Sequence, residues 1–158
     1  MKNKLIFSLL PILLTSCSFK EPMIKIFLTS NQEVDVNQIK EDYSSSSIEV
    51  SYASPSSLYY SVIYKAAREK EYQIFVLRDE EYLPSHIKDI YKPFTDDIKN
   101  QFNKEHFYYD LDDVSYGIKL NTSNYKINNY LSFEENHDYY LSITDDSSLI
   151  ITFLNEIL

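Results

Sequence analysis

The chain has 158 residues, a formal net charge of −9 and a single glycine, Gly117. An acidic surface repels phosphate backbones, which argues against a nucleic acid partner, and one glycine cannot supply a P-loop or a GxGxxG fingerprint. The only cysteine is Cys17, so the chain can form neither an internal disulfide nor a cysteine-rich metal site.

The first 17 residues have the three parts of an export signal. Two lysines give a positive start, residues 5–14 form an apolar run, and small residues at positions 15 and 16 precede Cys17. The arrangement resembles a bacterial lipoprotein signal. The resemblance implies removal of residues 1–16, a diacylglycerol on Cys17, and a lipid anchor at the extracytoplasmic face of the cell membrane. Two or three acyl chains hold firmly, because each buried CH2 contributes roughly 0.8 kcal/mol.

This segment has two other interpretations: a soluble secreted protein with an incidental cysteine, and an uncleaved membrane anchor. The apolar run of residues 5–14 is short for a spanning helix, which needs about 20 apolar residues. Residues 17–22 are expected to be the lipidated cysteine and a short polar tether. The expected remainder is one α/β domain over residues 23–158.

The first half of that domain alternates strand and helix patterns. Residues 23–28 form an apolar run of strand length, and residues 48–52 alternate apolar with polar side chains. Between them, apolar spacings of three and four after Asp35 predict a short helix. Residues 57–70 repeat the helical spacing, and residues 72–77 are typical of a strand buried on both faces. This order predicts βαβ units and a parallel sheet.

The second half is interrupted by prolines, which leave short helices at residues 85–91 and 96–102. Residues 114–120 and 139–144 predict two further strands, and residues 147–158 a closing helix. The expected fold class is therefore α/β, with a three-layer open sheet that is mostly parallel.

The order of elements resembles one lobe of the extracellular solute-binding proteins of ABC importers, whose two lobes have the type II periplasmic-binding-protein fold. The resemblance runs through the passages at residues 48–77 and 82–97 and the tail at residues 139–158. It includes Tyr116-Gly117-Ile118, where many members carry Tyr-Gly-Val/Ile-Pro at a hinge strand. It implies a module that binds a sugar or peptide and delivers it to a permease.

Two features depart from the family pattern. Only residues 121–138 separate the hinge-like strand from the tail, where an intact member inserts a whole second lobe. Gln73 stands where the family often has aspartate, and Lys119 replaces the usual proline. These departures leave open a one-lobe relic, a degenerate paralogue, or a domain that uses the lobe for another purpose.

Ligands of an open parallel sheet settle outside the carboxyl ends of its strands, where loops present polar groups. Hydroxyl, amide and charged groups at these ends suit a small polar solute such as a sugar or peptide. The candidate ligand-binding residues are Ser30, Asn31, Ser54, Ser56, Arg78, Asp79 and Tyr116. The same residue types also make turns and helix caps, which is the alternative role at each position.

Fifteen tyrosines and nine phenylalanines are the other compositional peculiarity. Tyrosines can form platforms on which sugars stack, or they can fill the core and strand faces. Most of them stand at positions that a core or a strand face would use, which favours the second interpretation.

The sequence offers few groups for catalysis, so we expect no enzyme and no cofactor. It contains no HxxxH or HExxH pair and no GxSxG elbow, and lipidation would consume the only cysteine. His106 and the acidic residues at 110, 112 and 113 form one candidate metal cluster. Their spacing does not match an EF-hand, so a solvated loop is the simpler interpretation.

Two functions therefore stand as hypotheses. The first is a membrane-anchored extracytoplasmic module that binds a small polar solute and works with an ABC permease. The second is a surface lipoprotein that docks onto another protein, such as a permease, a sensor or a host molecule, and binds no small solute. The missing second lobe favours the second hypothesis.

Overall fold

The computed structural model describes residues 23–44, 46–55, 60–82 and 86–158. Six strands form one sheet: β1 (Ile24–Thr29), β2 (Ile48–Ala53), β3 (Ile74–Arg78), β4 (Tyr108–Leu111), β5 (Val114–Lys119) and β6 (Tyr139–Ile143). The helices are α1 (Val36–Asp42), α2 (Tyr60–Arg68), α3 (Ile87–Ile90), α4 (Asp96–Lys99), α5 (Ser148–Ile157) and a 3-10 helix (Lys126–Tyr130). The predicted leader, Cys17 and Ser56 lie outside the described residues.

The sheet is open and mixed, with strand order β2-β1-β3-β6-β5-β4. Strand β1 pairs in parallel with β2 and β3, whereas β6 pairs antiparallel with both β3 and β5, and β4 with β5. The prediction of an open α/β sheet is confirmed. The prediction of a mostly parallel sheet is wrong, because the βαβ pattern ends at β3. A hairpin then joins β4 to β5, and β6 enters the sheet in the opposite direction.

Helices cover both faces of the sheet, which gives three layers. One core cluster joins side chains of β1, β3 and β6 to α1, α5 and the 3-10 helix. A second cluster, on the opposite face, joins the sheet to α2 and α3. Every residue of β3 and β6 is buried, as expected for central strands covered on both faces.

An aromatic stack fills the second face. The ring of Tyr82 lies between those of Tyr91 and Tyr140, with centroid distances of 5.7 and 4.9 Å, and Tyr109 meets Tyr82 edge-on at 5.4 Å. Tyr82 is 1% exposed. These tyrosines are core residues, which agrees with the interpretation that the aromatic content fills the core.

Local hydrogen bonds cap the start of helix α1 and the end of helix α2. Asp35 caps α1 by accepting a hydrogen bond from the Gln38 amide at 3.0 Å. At the end of α2, Lys70 adopts a left-handed φ of 55°. The amides of Lys70 and Glu71 bond back to Ala67 and Ala66 at 3.1 and 2.9 Å, which is a Schellman motif without glycine.

Candidate functional site at the carboxyl ends of the first and third strands

Strand β1 lies between β2 and β3 in the sheet, so the strands that follow it in sequence are added on opposite sides of it. From β1 the chain passes through α1 to β2 on one side, and from β2 it passes through α2 to β3 on the other. Helices α1 and α2 cover opposite faces. In open α/β sheets, the crevice outside the carboxyl ends of such a pair of strands is the usual ligand site.

The structure brings four of the predicted site residues to this crevice. Ser30 and Asn31 follow β1, Arg78 ends β3, and Asp79 follows it. Ser54 is exposed just beyond the end of the edge strand β2, where the preceding carbonyl, that of Ala53, accepts a hydrogen bond from the Ser30 amide at 3.1 Å.

The structure places Tyr116 away from this crevice. It is 8% exposed in the interior of β5 and packs in the second core cluster. Strand β5 runs parallel to β3, because both pair antiparallel with β6. The end of β5 that faces the crevice edge is therefore Lys119, which forms an ion pair with Asp138 at 2.6 Å.

Residues 131–138, which we call the covering segment, connect the 3-10 helix to β6 and bond to residues at the crevice. The Ser132 amide donates to the Ser30 hydroxyl at 3.5 Å. His137 Nδ1 lies 2.8 Å from Asp79 Oδ1, and the Asp79 amide donates to the Asp138 carbonyl at 2.7 Å. The crevice is thus occupied by the chain itself.

The guanidinium of Arg78 is the centre of this arrangement. It donates to Glu80 and Glu81 at 2.8 Å each and also to Glu134 of the covering segment. Arg78 is 9% exposed, and the Glu81 side chain is fully buried. Carboxylates therefore accept four of the five N–H donors of the guanidinium, and both terminal nitrogens have a carboxylate partner.

The ionisation of these groups reflects both burial and pairing. Desolvation alone would lower the pKa of Arg78, but hydrogen bonds and charge from Glu81 and Glu134 outweigh it and raise the pKa. Burial raises the pKa of Glu81 despite the contact with Arg78. The hydrogen bond from Arg78 lowers the pKa of Glu134, with a further contribution from the Asn31 side chain.

Sequence reasoning missed Glu81, Glu134 and His137 as members of this cluster. Glu134 lies 56 residues from Arg78 along the chain, and no spacing pattern joins the two. The one available signal was a buried strand that ends on a charged residue, since a buried arginine requires an anionic partner somewhere in the fold.

A cleft of about 300 Å³ adjoins the crevice between the end of β1, α1 and the 3-10 helix. Hydroxyl and amide groups dominate its lining, which also includes two carboxylates. The lining residues are Ser30, Gln32, Glu33, Asp35, Gln38, Asn129, Tyr130, Leu131 and Ser132. Such a lining suits a small polar solute that is neutral or positively charged.

The outer edge of β2 is a second candidate surface, because β2 is the terminal strand of the sheet. The carbonyls of Ser47 and Ala53 accept hydrogen bonds from the amides of Ile24 and Ser30 at 2.8 and 3.1 Å. Backbone groups alternate along a strand, so the N–H and C=O groups of Ile48, Val50 and Tyr52 point away from the sheet.

A groove of about 560 Å³ lies beside the last of these residues. It runs from Tyr52 to the start of α1 and is lined by Tyr52, Glu33, Val34, Asp35, Val36 and Asn37. Tyr52 is 39% exposed, and both carboxylate residues are exposed.

Among the described residues, no group of three or more potential metal ligands is close enough to hold an ion. The predicted cluster around His106 is not assembled, because its members have other partners. His106 Nδ1 lies 3.3 Å from the Tyr125 hydroxyl, Asp110 accepts from Ser115, and Asp112 pairs with Lys88.

No helix in the described ranges has the length and hydropathy needed to cross a membrane. The chain matches no protein-family model, no curated protein and no solved structure.

Proposed function

We propose that the protein is a lipid-anchored module on the extracytoplasmic face of the cell membrane, which docks onto another protein through the outer edge of β2. Its anchor is the lipid on Cys17, and its partner is an ABC permease or another surface protein. The net charge of −9 argues against nucleic acid. The proposal includes no catalytic step and no cofactor.

The open edge of β2 is the observation that carries this proposal. Six residues, Ile48–Ala53, form the strand, and they include neither proline nor lysine, the residues that commonly protect a sheet edge. The opposite edge strand, β4, has four residues, an irregular register at Tyr109/Asp110 and an acidic turn at Asp112 and Asp113. Shortness, irregularity and charge all oppose pairing, so β2 is the better docking edge.

The covering segment occupies the crevice, and this also favours docking over solute binding. Arg78 and Asp79 are the charged groups that a solute would have used, and they bind Glu134 and His137 of the covering segment instead. Moving the covering segment aside would break the ion pair between Arg78 and Glu134 and the contact between Asp79 and His137, and the nearly buried guanidinium would lose one of its partners, which costs free energy.

Site-specific photocrosslinking in cells tests the proposal. A photoreactive residue at Ser54, just beyond β2, is expected to yield one discrete crosslinked product. Tyr52→Pro removes an outward N–H while leaving the bonds to β1 intact, so the product should disappear, with circular dichroism verifying the fold. A probe at Phe107, which is 57% exposed beside β4, is the matched control. No product at position 54, or one that survives Tyr52→Pro, would overturn the proposal.

Solute binding remains a second candidate because of the cleft beside Ser30. Its hydroxyl and amide lining agrees with what the resemblance to one solute-binding lobe implies, namely a sugar or a peptide. A thermal-shift panel of sugars, oligosaccharides and short peptides tests it. A ligand that stabilises the native protein but not an Asn129→Leu variant supports binding in this cleft, and no stabilisation by any member counts against it.

A further inference from the structure

We infer that the β2 edge selects an extended polypeptide segment that carries lysine or arginine, and that the cationic side chain enters the groove beside Tyr52. This inference rests on the proposed docking function and specifies the chemistry of the partner.

The backbone of β2 fixes how the partner segment would lie. Three residues, Ile48, Val50 and Tyr52, direct their N–H and C=O groups outward, as their inward-facing neighbours Ser47 and Ala53 establish. None of the hydrogen bonds found between described residues uses these outward groups. A segment of about five or six extended residues can therefore pair with them as a seventh strand, as in other cases of strand addition.

The face of the added strand that meets the groove follows from side-chain alternation. Val50 is 8% exposed in the first core cluster, and Ile48 packs against that cluster, so both lie on the α1 face. Tyr52 lies on the same face by the period of two and lines the groove with the start of α1. A partner side chain opposite Tyr52 on this face would enter the groove.

The charge of the groove selects a cation. Its ionisable side chains other than Tyr52 are Glu33 and Asp35, and neither has an ion-pair partner among the described residues. Asp35 uses Oδ1 to cap α1, which leaves its second oxygen for a ligand. The exposed ring of Tyr52 offers a face on which a guanidinium or ammonium can lie.

Competing occupants fit less well. An acidic or phosphorylated segment would meet like charge in the groove and on a chain of net charge −9. A second copy of this chain, paired through its own β2, would bring a second Glu49 to the interface, and Glu49 is already paired with Lys25 at 3.3 Å.

Fluorescence anisotropy on the full chain in detergent tests the inference. The probe is a labelled twelve-residue peptide of alternating threonine and valine with one central arginine, and the control peptide replaces the arginine with citrulline, which is nearly isosteric and neutral. We expect the arginine peptide to bind about 10-fold more tightly, since one desolvated cation–π and ion-pair contact is worth that much. The double variant Glu33→Gln with Asp35→Asn should abolish the preference while retaining the α1 cap, because asparagine caps as well as aspartate.

The outcomes separate the inference from the proposed function. Equal binding of both peptides, with no effect of the double variant, would overturn the cation inference and leave strand docking intact. Failure of both peptides to bind would also overturn it, and the crosslinking experiment at Ser54 then decides the docking function independently. An arginine preference that survives the double variant would place the cation elsewhere and contradict the groove.

Discussion

At the scale of single residues, position 117 requires glycine because there is no room for a side chain, and not because of its backbone conformation. Its φ is not in the left-handed region. A Cβ atom built at this position would lie 2.6 Å from the Tyr82 hydroxyl oxygen and 3.0 Å from Tyr82 Cζ. Tyr82 cannot move away easily, because Tyr91 and Tyr140 hold its ring on both sides.

Gly117→Ala should therefore destabilise the protein by about 1–3 kcal/mol through overpacking. Adding Tyr82→Phe should recover part of this loss, because it removes the oxygen that meets the new Cβ. The Tyr82 hydroxyl makes no hydrogen bond of good geometry within the described residues and has a weak contact with the Ser142 side chain, so the single Tyr82→Phe change should cost little. Urea unfolding of the four proteins of this double-mutant cycle measures the coupling. Strict additivity would contradict the steric explanation.

His106 should make the stability of the protein depend on pH. Burial and the charge of Lys104 lower its pKa in the folded state, whereas the unfolded value is about 6.5. Above pH 6.5 the imidazole is neutral in both states, and protonation takes nothing from the free energy of unfolding. As the pH falls below 6.5 toward the folded pKa, the unfolded chain binds the proton more readily than the folded one, so the free energy of unfolding decreases.

Wild-type protein should therefore lose more unfolding free energy between pH 7.5 and pH 5.5 than His106→Gln does. Urea unfolding at the two pH values measures the difference, and effects of the carboxylates cancel in the comparison. His86→Gln, which removes an exposed imidazole, is the matched control. Equal losses in wild-type and His106→Gln proteins would show that burial of this ring is not coupled to folding.

At the scale of elements, the covering segment depends on the ion pairs at the end of β3. Arg78→Met should destabilise the protein by about 3–5 kcal/mol, because it leaves the fully buried Glu81 carboxylate without a partner. Adding Glu81→Met should recover most of the loss, since an apolar pair can replace a buried ion pair.

Glu134→Gln offers a milder comparison. Its side chain is 27% exposed, and glutamine keeps an oxygen that can accept from Arg78, so its cost should be about 1 kcal/mol or less. Chemical denaturation ranks the three changes. If Arg78→Met cost no more than Glu134→Gln, Glu81 would have to find water or another donor, and the buried pair between Arg78 and Glu81 would contribute little to stability.

Most elements could be predicted from the sequence, and those that could not lack the usual local signals. Strands β1, β2 and β3 and helices α1 and α2 followed from hydrophobic period, and Asp35 marked a true helix start. Strand β4 was missed. It has four residues, and its hairpin turn uses Asp112 and Asp113 with φ values of 53° and 62°, where Asn-Gly or Asp-Gly would be the recognisable pair.

The scarcity of glycine explains this weak signal. With one glycine in the chain, left-handed positions fall to other residues, among them Lys70, Asp112, Asp113 and Asn136. Turn prediction relies on glycine at such positions. Turns built from lysine, aspartate and asparagine are therefore difficult to recognise from this sequence.

At the scale of the whole molecule, strand direction and the candidate site show the limit of sequence reasoning. Four candidate residues meet at one crevice because the carboxyl ends of β1 and β3 adjoin, which topology rules predict. The ion pair between Arg78 and Glu134, and the antiparallel entry of β6, depend on contacts between residues far apart in sequence. Local patterns carry no information about such contacts.

Attachment through Cys17 is the remaining prediction at this scale. The proposed attachment requires more than one acyl chain, because a chain of net charge −9 gains nothing from anionic headgroups and one acyl chain binds only marginally. The wild-type chain should incorporate an alkyne-labelled fatty acid, stay in the membrane fraction through high-salt washing, and begin at an acylated Cys17 by mass spectrometry. Cys17→Ser should incorporate no label. A membrane-bound wild-type chain that retains residues 1–16 and carries no lipid would instead identify the leader as an uncleaved anchor.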